Sequence, residues 1–237
     1  MRILFVCSKN SGKIAPFIQE QAEAIQQMGT EVDFFTIEGK GWEGYLKNRP
    51  LLTKKIMEFK PNVIHAHYGL SGLLANAQRK VPVVTTYHGS DINDPKVFRF
   101  SKWAMRLSAW NIFVSEKNIR IAKVKKKYTL IPCGINTELF KPIEKQVARK
   151  KFGFSTNEKL VLFSGSFDNP VKNSALALQA INLLPEVQLL ELKNYSREEV
   201  ALLINAVDVC LMTSLSEGSP QFIKEAMACN CPIVSVD

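Results

Sequence analysis

Glu217-Gly-Ser-Pro-Gln-Phe-Ile-Lys-Glu225-Ala-Met-Ala-Cys-Asn-Cys-Pro232 sets two carboxylates eight positions apart across a loop and the start of a helix. Pro220 suits the first helical position, where its fixed φ and missing N–H cost nothing, and 221–230 then reads as a helix with Phe222, Ala226 and Met227 toward a core. Glu217 stands in the loop before that helix and Glu225 on its second turn. Both can face one ligand over the helix N-terminus, where free N–H groups and the macrodipole favour a phosphate. The run from Pro232 to Asp237 reads as a strand.

Outward from this stretch, strand-like apolar runs alternate with helical patterns, the signature of parallel sheets covered on both faces. In the first half the pattern predicts strands at 2–7, 31–37, 62–66, 81–87, 110–115 and 128–132, with helices between them, clearest at 16–28, 51–59 and 97–108. Residues 133–142 carry Gly and Pro punctuation and read as a linker. A second alternation follows: strand 160–165, helix 173–184, strand 188–193, helix 197–207, strand 208–213, helix 221–230 and strand 232–236. The expected fold is α/β, with two Rossmann-like domains at 1–142 and 143–237.

The chain has 237 residues, 46% of them hydrophobic, enough to bury two cores. Its charge is uneven. Residues 1–142 hold 22 Lys+Arg against 11 Asp+Glu, and residues 143–237 hold 9 against 11, so the whole excess of +9 lies in the first half. A basic half attracts anionic lipid headgroups, nucleic acid or a negatively charged substrate, unless it is only a solvated surface. Five cysteines, Cys7, Cys133, Cys210, Cys229 and Cys231, show no paired framework spacing and point to a reducing, cytoplasmic setting. Cys229-Asn-Cys231 has no second pair to complete a metal site and reads as small buried residues before a strand. No apolar run reaches the ~18 residues of a membrane span, so any membrane contact is expected to be peripheral.

His65, His67 and His88 all fall at the C-terminal ends of the third and fourth expected strands, the edge where open α/β sheets bind ligands. Gly89-Ser90-Asp91 after His88 makes a tight turn that lets the imidazole approach a substrate, whereas His65 and His67 read as packing or hydrogen-bonding residues and no metal is expected. Ser8-Lys-Asn-Ser-Gly12-Lys13-Ile14 has neither the glycines nor the Ser/Thr of a phosphate-binding loop, although Lys9 and Lys13 suit an anionic acceptor. In the second half, Gly165-Ser166-Phe-Asp168-Asn-Pro-Val-Lys172-Asn173 leaves a strand and enters a helix, so Lys172 can neutralise a diphosphate. Tyr195, before the expected N-cap Ser196, is either a base-stacking ring or a packing aromatic.

These pieces resemble the retaining glycosyltransferases of family 4, the large group with the two-domain GT-B fold. The most specific match is Glu217 to Glu225, with seven residues between, inside Glu-Gly-x-Pro and followed by Glu-Ala-Met-Ala and Pro-Ile-Val. Supporting matches run over Pro61 to His67, Thr86 to Asp91, Ile131 to Phe140, and Gly165 to Asn173. The resemblance covers essentially the whole chain.

It implies an NDP-sugar donor, UDP- or GDP-linked, bound as substrate mainly by the second domain, with the acceptor on the first and transfer in the cleft between. Glu225 would take the ribose hydroxyls, and Glu217, Gly218 and Ser219 the donor sugar and phosphates. Gly165, Ser166 and Lys172 would hold the diphosphate without a metal ion, and His88 would line the cleft. The expected catalytic set is His88, Glu217 and Lys172, and the expected donor set is Glu225, Gly218, Ser219, Gly165, Ser166 and Tyr195.

The chain departs from the family in four respects, one of them a gap between the helix at 173–184 and Ser196 that is shorter than most members have. Ser166 stands where members carry an arginine, the glycine pair after the first strand is reduced to Gly12, and the stop after Asp237 reads as a truncated second domain. The expected role is cell-surface polysaccharide, lipopolysaccharide or glycolipid synthesis on a saccharide or lipid-linked acceptor, with no nucleic acid partner and peripheral contact with an anionic inner membrane face. The alternative is an impaired chain that binds nucleotide or sugar nucleotide without turnover. A third reading is a GT-B epimerase or a metal-dependent hydrolase using the histidines.

Overall fold

The first five apolar residues of strand β1 already show why a sheet forms with both faces covered. Leu4 and Val6 point into one buried cluster with Phe35, Ile64 and Leu74, while Ile3, Phe5 and Cys7 point into another with Ile18 and Ala22. Such a strand has no solvent face to alternate toward, so it reads as a continuous apolar run. The structure, a computed structural model, describes residues 1–236.

The chain divides into two compact units, one ending at Gly134 and one beginning at Ile135. The first contains β1 (Arg2–Ser8), α1 (Pro16–Gln27), β2 (Glu31–Ile37), α2 (Gly41–Leu46), α3 (Arg49–Phe59), β3 (Val63–His67), α4 (Gly69–Asn76), β4 (Val83–Tyr87), α5 (Ser90–Asn93), α6 (Pro95–Leu107), β5 (Trp110–Phe113), α7 (Glu116–Ala122) and β6 (Tyr128–Leu130). Its six strands pair in parallel in the order β2-β1-β3-β4-β5-β6.

The second unit contains α8 (Lys145–Phe152), β7 (Lys159–Phe163), a 3-10 turn (Pro170–Lys172), α9 (Ser174–Ile181), β8 (Val187–Glu191), α10 (Arg197–Ala206), β9 (Val209–Met212), α11 (Gln221–Ala228) and β10 (Ile233–Ser235). Its four parallel strands lie in the order β10-β9-β7-β8. In both sheets the first strand of the unit has its second strand on one side and its third on the other. The strand order therefore reverses there, the helices that follow the first and third strands lie on opposite faces, and a crevice opens between the C-terminal ends of those two strands.

All ten expected strands are present, with ends one to two residues shorter at most turns. The boundary differs: the segment expected to link the units belongs to the second from Ile135 onward, because Phe140 is 1% exposed in that unit's core. Helix α8 was not expected. Four cations in Lys-Gln-Val-Ala-Arg-Lys-Lys-Phe obscure an apolar face of only Ala148 and Phe152. Pro220 lies one residue before α11 as its N-cap residue, with φ −66° and ψ 107°, and Gln221–Ala228 is the helix itself.

Arg149 on α8 ties the second sheet together at the edge where its strands begin. Its guanidinium donates to the carbonyls of Ala206, Ser155 and Thr156 at 2.7–3.0 Å and to Asp208 at 2.9 Å, and Asp208 also accepts the backbone N–H of Leu160. Arg149→Met is expected to destabilise this unit by about 3 kcal/mol, because it leaves several buried acceptors unpaired. Lys145→Met, which removes only a half-exposed partner of Asp208, should cost less than about 1 kcal/mol in the same denaturant titration.

Candidate active site

At the C-terminal edge of the second sheet, the crevice between β7 and β9 is framed by two loops. The loop after β7 runs from Ser164 into the 3-10 turn, where the Asn169 side chain accepts the Val171 N–H, and Asn173 turns the chain with φ 52° into α9. The loop after β9 is stitched to it. The Thr213 hydroxyl lies 2.9 Å from the carbonyls of both Lys172 and Asn173, and the Leu215 N–H donates to the Val171 carbonyl.

That stitching brings Lys172 Nζ to 2.8 Å from Glu217 Oε1. The lysine stem crosses directly over Gly165, where an added Cβ would lie 3.1–3.4 Å from its Cγ, Cδ and Cε. A glycine is required for so close an approach. Ser164 and Ser214, one at the end of each strand, bury hydroxyls that have no partner among the described residues.

Glu225, on α11, is 3% exposed and its Oε1 accepts from Arg197 Nη2 at 2.6 Å. A buried carboxylate of this kind persists only with a charged partner. Arg197 is held in turn over the face of the buried Phe140 ring, 4.6 Å from its centroid, and begins α10 directly after Ser196. Ser196 and Glu199 form a reciprocal capping box that fixes that helix start, as the position of Ser196 led us to expect of an N-cap.

The remaining expected donor residues are spread around the same edge. Ser166 donates to Asp168 and to Glu191, Asp168 pairs with Lys193 at 2.8 Å, and Glu191 also accepts the Phe167 N–H. Ser219 receives Lys224 Nζ at 2.5 Å, beside Gly218. Tyr195 is half-buried and meets Phe152 edge-on at 6.2 Å, on the flank of the unit's core. The packing alternative for this ring is the contact observed. Cys231 finds its neighbour in Cys210, Sγ to Sγ 3.6 Å, rather than in Cys229.

The first unit builds a second cluster at the corresponding edge. His88 packs against Phe17 and Tyr68 and stacks on His67, whose Nδ1 lies 3.1 Å from His88 Nε2. His88 Nδ1 faces the Cys133 thiol at 3.7 Å, and His65 Nε2 lies 2.8 Å from the Thr86 hydroxyl. His67 Nε2 is buried with no partner among the described residues. An orphaned acceptor costs less than an orphaned N–H, so the proton belongs on His67 Nδ1, donated to His88, which leaves the His88 proton on Nδ1.

Burial pushes His65 down to about 4 and His88 down to about 3, and holds His67 well below the usual imidazole value with help from both neighbours. All three are neutral near pH 7. The turn after His88 uses Gly89 at φ 118°, and Asp91 secures it by accepting the N–H groups of His88, Gly89 and Gly69 at 3.0 Å each. Burial raises Asp91 to about 6 despite those donors. Lys9 and Lys13 lie on the exposed loop after β1, which Asn10 clasps to Gly39 through two hydrogen bonds.

The model of glycosyltransferase family 4 matches residues 14–139, more than half of the chain. The chain belongs to that family. A D-inositol 3-phosphate glycosyltransferase of Mycobacterium marinum is 25% identical over 224 residues, covering 73% of this chain and 48% of that protein. The chain spans about half the length of the curated relatives it matches.

Among solved structures, sucrose-phosphate synthase from Thermosynechococcus elongatus superposes with a TM-score of 0.77 at 20% identity, covering 99% of this chain and 80% of that one. HepE of Anabaena, in complex with UDP and glucose, gives 0.70 at 18% identity, with coverage of 99% and 80%. These likenesses establish the GT-B fold.

The structure brings together Lys172 with Glu217, and Gly165 beneath Lys172, and it sets Ser166 and Glu225 in separate hydrogen-bonded groups on the same edge. Sequence reasoning missed Arg197, Phe140 as its platform, and the Tyr68 and Phe17 rings around His88. Tyr68 carried one readable signal, its place directly after His65-Ala-His67, but its φ of 72° did not.

Because the three histidines stay neutral when folded and charge when unfolded, the unfolded chain binds more protons below about pH 6.5, and stability falls as the pH drops toward about 4. Asp91 opposes this between its ordinary value and about 6, as one group against three. Thermal unfolding followed by Trp fluorescence should show the first unit's midpoint dropping between about pH 7 and about pH 5, and His65→Gln should flatten the drop.

Proposed function

We propose that this chain moves a sugar from an NDP-sugar to an acceptor hydroxyl with retention of anomeric configuration. The observation that carries the reading is the Lys172–Glu217 pair over Gly165 at the crevice between β7 and β9, in a chain of glycosyltransferase family 4.

In this reading the donor diphosphate displaces Glu217 from Lys172, and the ammonium steadies charge as it develops on the departing phosphate, the term that usually dominates such catalysis. Released from the lysine, Glu217 accepts hydroxyls of the donor sugar, with Gly218, Ser219, Gly165 and Ser166 around the phosphates. Glu225 accepts the ribose hydroxyls, oriented by Arg197. Lys172 does this work in place of a divalent metal.

No imidazole of the His88 cluster is poised as a base near neutral pH, and Asp91, although raised to about 6, is buried with its oxygens turned onto three backbone N–H groups. This supports a front-face course. The acceptor oxygen bonds to the anomeric carbon as the bond to the phosphate oxygen breaks, and the acceptor proton passes to that phosphate oxygen. His88 contributes a neutral N–H beside the transferred sugar.

The acceptor is a saccharide or a lipid-linked saccharide of cell-surface polysaccharide, lipopolysaccharide or glycolipid synthesis. The basic first unit suits an acceptor carried at an anionic membrane face.

Calorimetry with UDP, GDP and their sugars, followed by hydrolysis and transfer assays with and without chelator, tests this reading. NMR of the product's anomeric proton reads the stereochemistry. The account expects binding, chelator-insensitive turnover and retention. Binding without hydrolysis or transfer would favour a chain that only holds the sugar nucleotide, and binding of no nucleotide would refute both.

Glu225→Ala should weaken nucleoside diphosphate binding by about 1.5–3 kcal/mol. Arg197→Met should weaken it nearly as much, and Arg197→Lys should recover part of the loss. Unchanged affinity in folded variants would remove Glu225 from the ribose.

A further inference from the structure

Helix α6 carries four cations, Lys96, Arg99, Lys102 and Arg106, and no acidic residue of its own. One side of it is committed to the first unit: Ser101, Ala104 and Met105 are buried, and Phe98 packs on the cluster of Tyr87, Ile92 and Phe113. The other side is exposed. All four cations lie there together with Trp103, which is 57% exposed.

Three of the four cations are held against rings, and none of the four pairs with an acidic side chain among the described residues. Arg99 lies over Phe100 and Lys102 over Phe98, each 4.6 Å from the ring centroid, and Arg106 lies 5.6 Å from Trp103. At the C-terminal end of the helix, Asn111 donates to both the Met105 and the Lys127 carbonyls. It thereby sets the Lys125-Lys126-Lys127 run beside the last turn.

We infer that this face of α6 is a docking surface for an anionic lipid bilayer. A helix whose core side is spent on its own unit, and whose outer side joins cations to a large exposed indole, has the two elements of interfacial binding. The cations are drawn to phosphate headgroups, and the indole seats its apolar body at the headgroup level. No helix among the described residues is long and apolar enough to cross a membrane, and the proposed contact is with the bilayer surface. Trp103 favours lipid over a nucleic acid backbone, which would use the cations and leave the ring in water. The inference gives the proposed membrane contact its surface and is independent of donor chemistry.

Sedimentation of the full chain with vesicles of phosphatidylcholine, with or without an equal part of phosphatidylglycerol, tests it. The chain should bind the anionic vesicles only, and high salt should release it. At ~1 kcal/mol for each cation near the surface, the combined variant Arg99→Glu, Lys102→Glu and Arg106→Glu should lose binding about a hundredfold or more. A control reversing the exposed Lys117, Lys150 and Lys151, which changes net charge equally, should lose far less.

Trp103→Ala, a milder change should the triple variant fail to fold, should weaken binding severalfold and leave its salt dependence intact. Calorimetric binding of UDP and GDP by each variant should match the parent chain, which separates loss of docking from failure of the donor reading. Equal binding to neutral vesicles, equal loss in the control, no effect of Trp103→Ala, or binding to duplex DNA in preference to anionic vesicles would overturn the inference.

Discussion

Where the strand order of a parallel sheet reverses, the helices that follow the two adjacent strands lie on opposite faces, and the crevice between the loops leading to them is filled by neither. Both units of this chain are built around that constraint. β1 lies between β2 and β3, and β7 lies between β8 and β9. The candidate site residues lie at the C-terminal edges of the two sheets: His67 and His88 in one unit, Lys172 and Glu217 in the other. The opposite edge of the second sheet is closed by Arg149 and its carbonyl partners, which stabilise without leaving a group free to react.

The two edges also differ in how charge is handled. In the second unit, each carboxylate named for donor binding has its own cation, Lys172 for Glu217 and Arg197 for Glu225. In the first unit, burial removes charge instead and leaves a chain of neutral imidazoles. In the proposed reading, the second unit's edge exchanges an internal anion for a substrate phosphate, and the first unit's edge presents hydrogen-bonding groups without competing for the acceptor's proton.

The strands were legible because burial on both faces leaves runs such as Ile-Leu-Phe-Val-Cys without polar interruption. The Glu217–Glu225 spacing and Lys172 were legible because a loop and the helix it enters keep fixed offsets along the chain. The partners were not. Arg197 reaches Glu225 across 28 positions and rests on Phe140, and neither relation leaves a local pattern in sequence. Helix α8 was hidden by its own lysines, and the unit boundary by the Gly and Pro of a segment whose Phe140 turns inward. Tyr195 shows the limit of motif reading, since an aromatic before a helix can serve a base or a core, and its edge contact with Phe152 leaves no pattern in sequence.

The central claim is that Lys172 and Glu217 act as one unit on the donor diphosphate. A double-mutant cycle with Lys172→Met, Glu217→Gln and the combined variant, read by calorimetry with the nucleoside diphosphate that binds the parent chain, tests it most directly. The account predicts effects that fail to add, with a coupling of about 1–2 kcal/mol. Effects that add to within about 0.3–0.5 kcal/mol would show two residues acting independently and would contradict it.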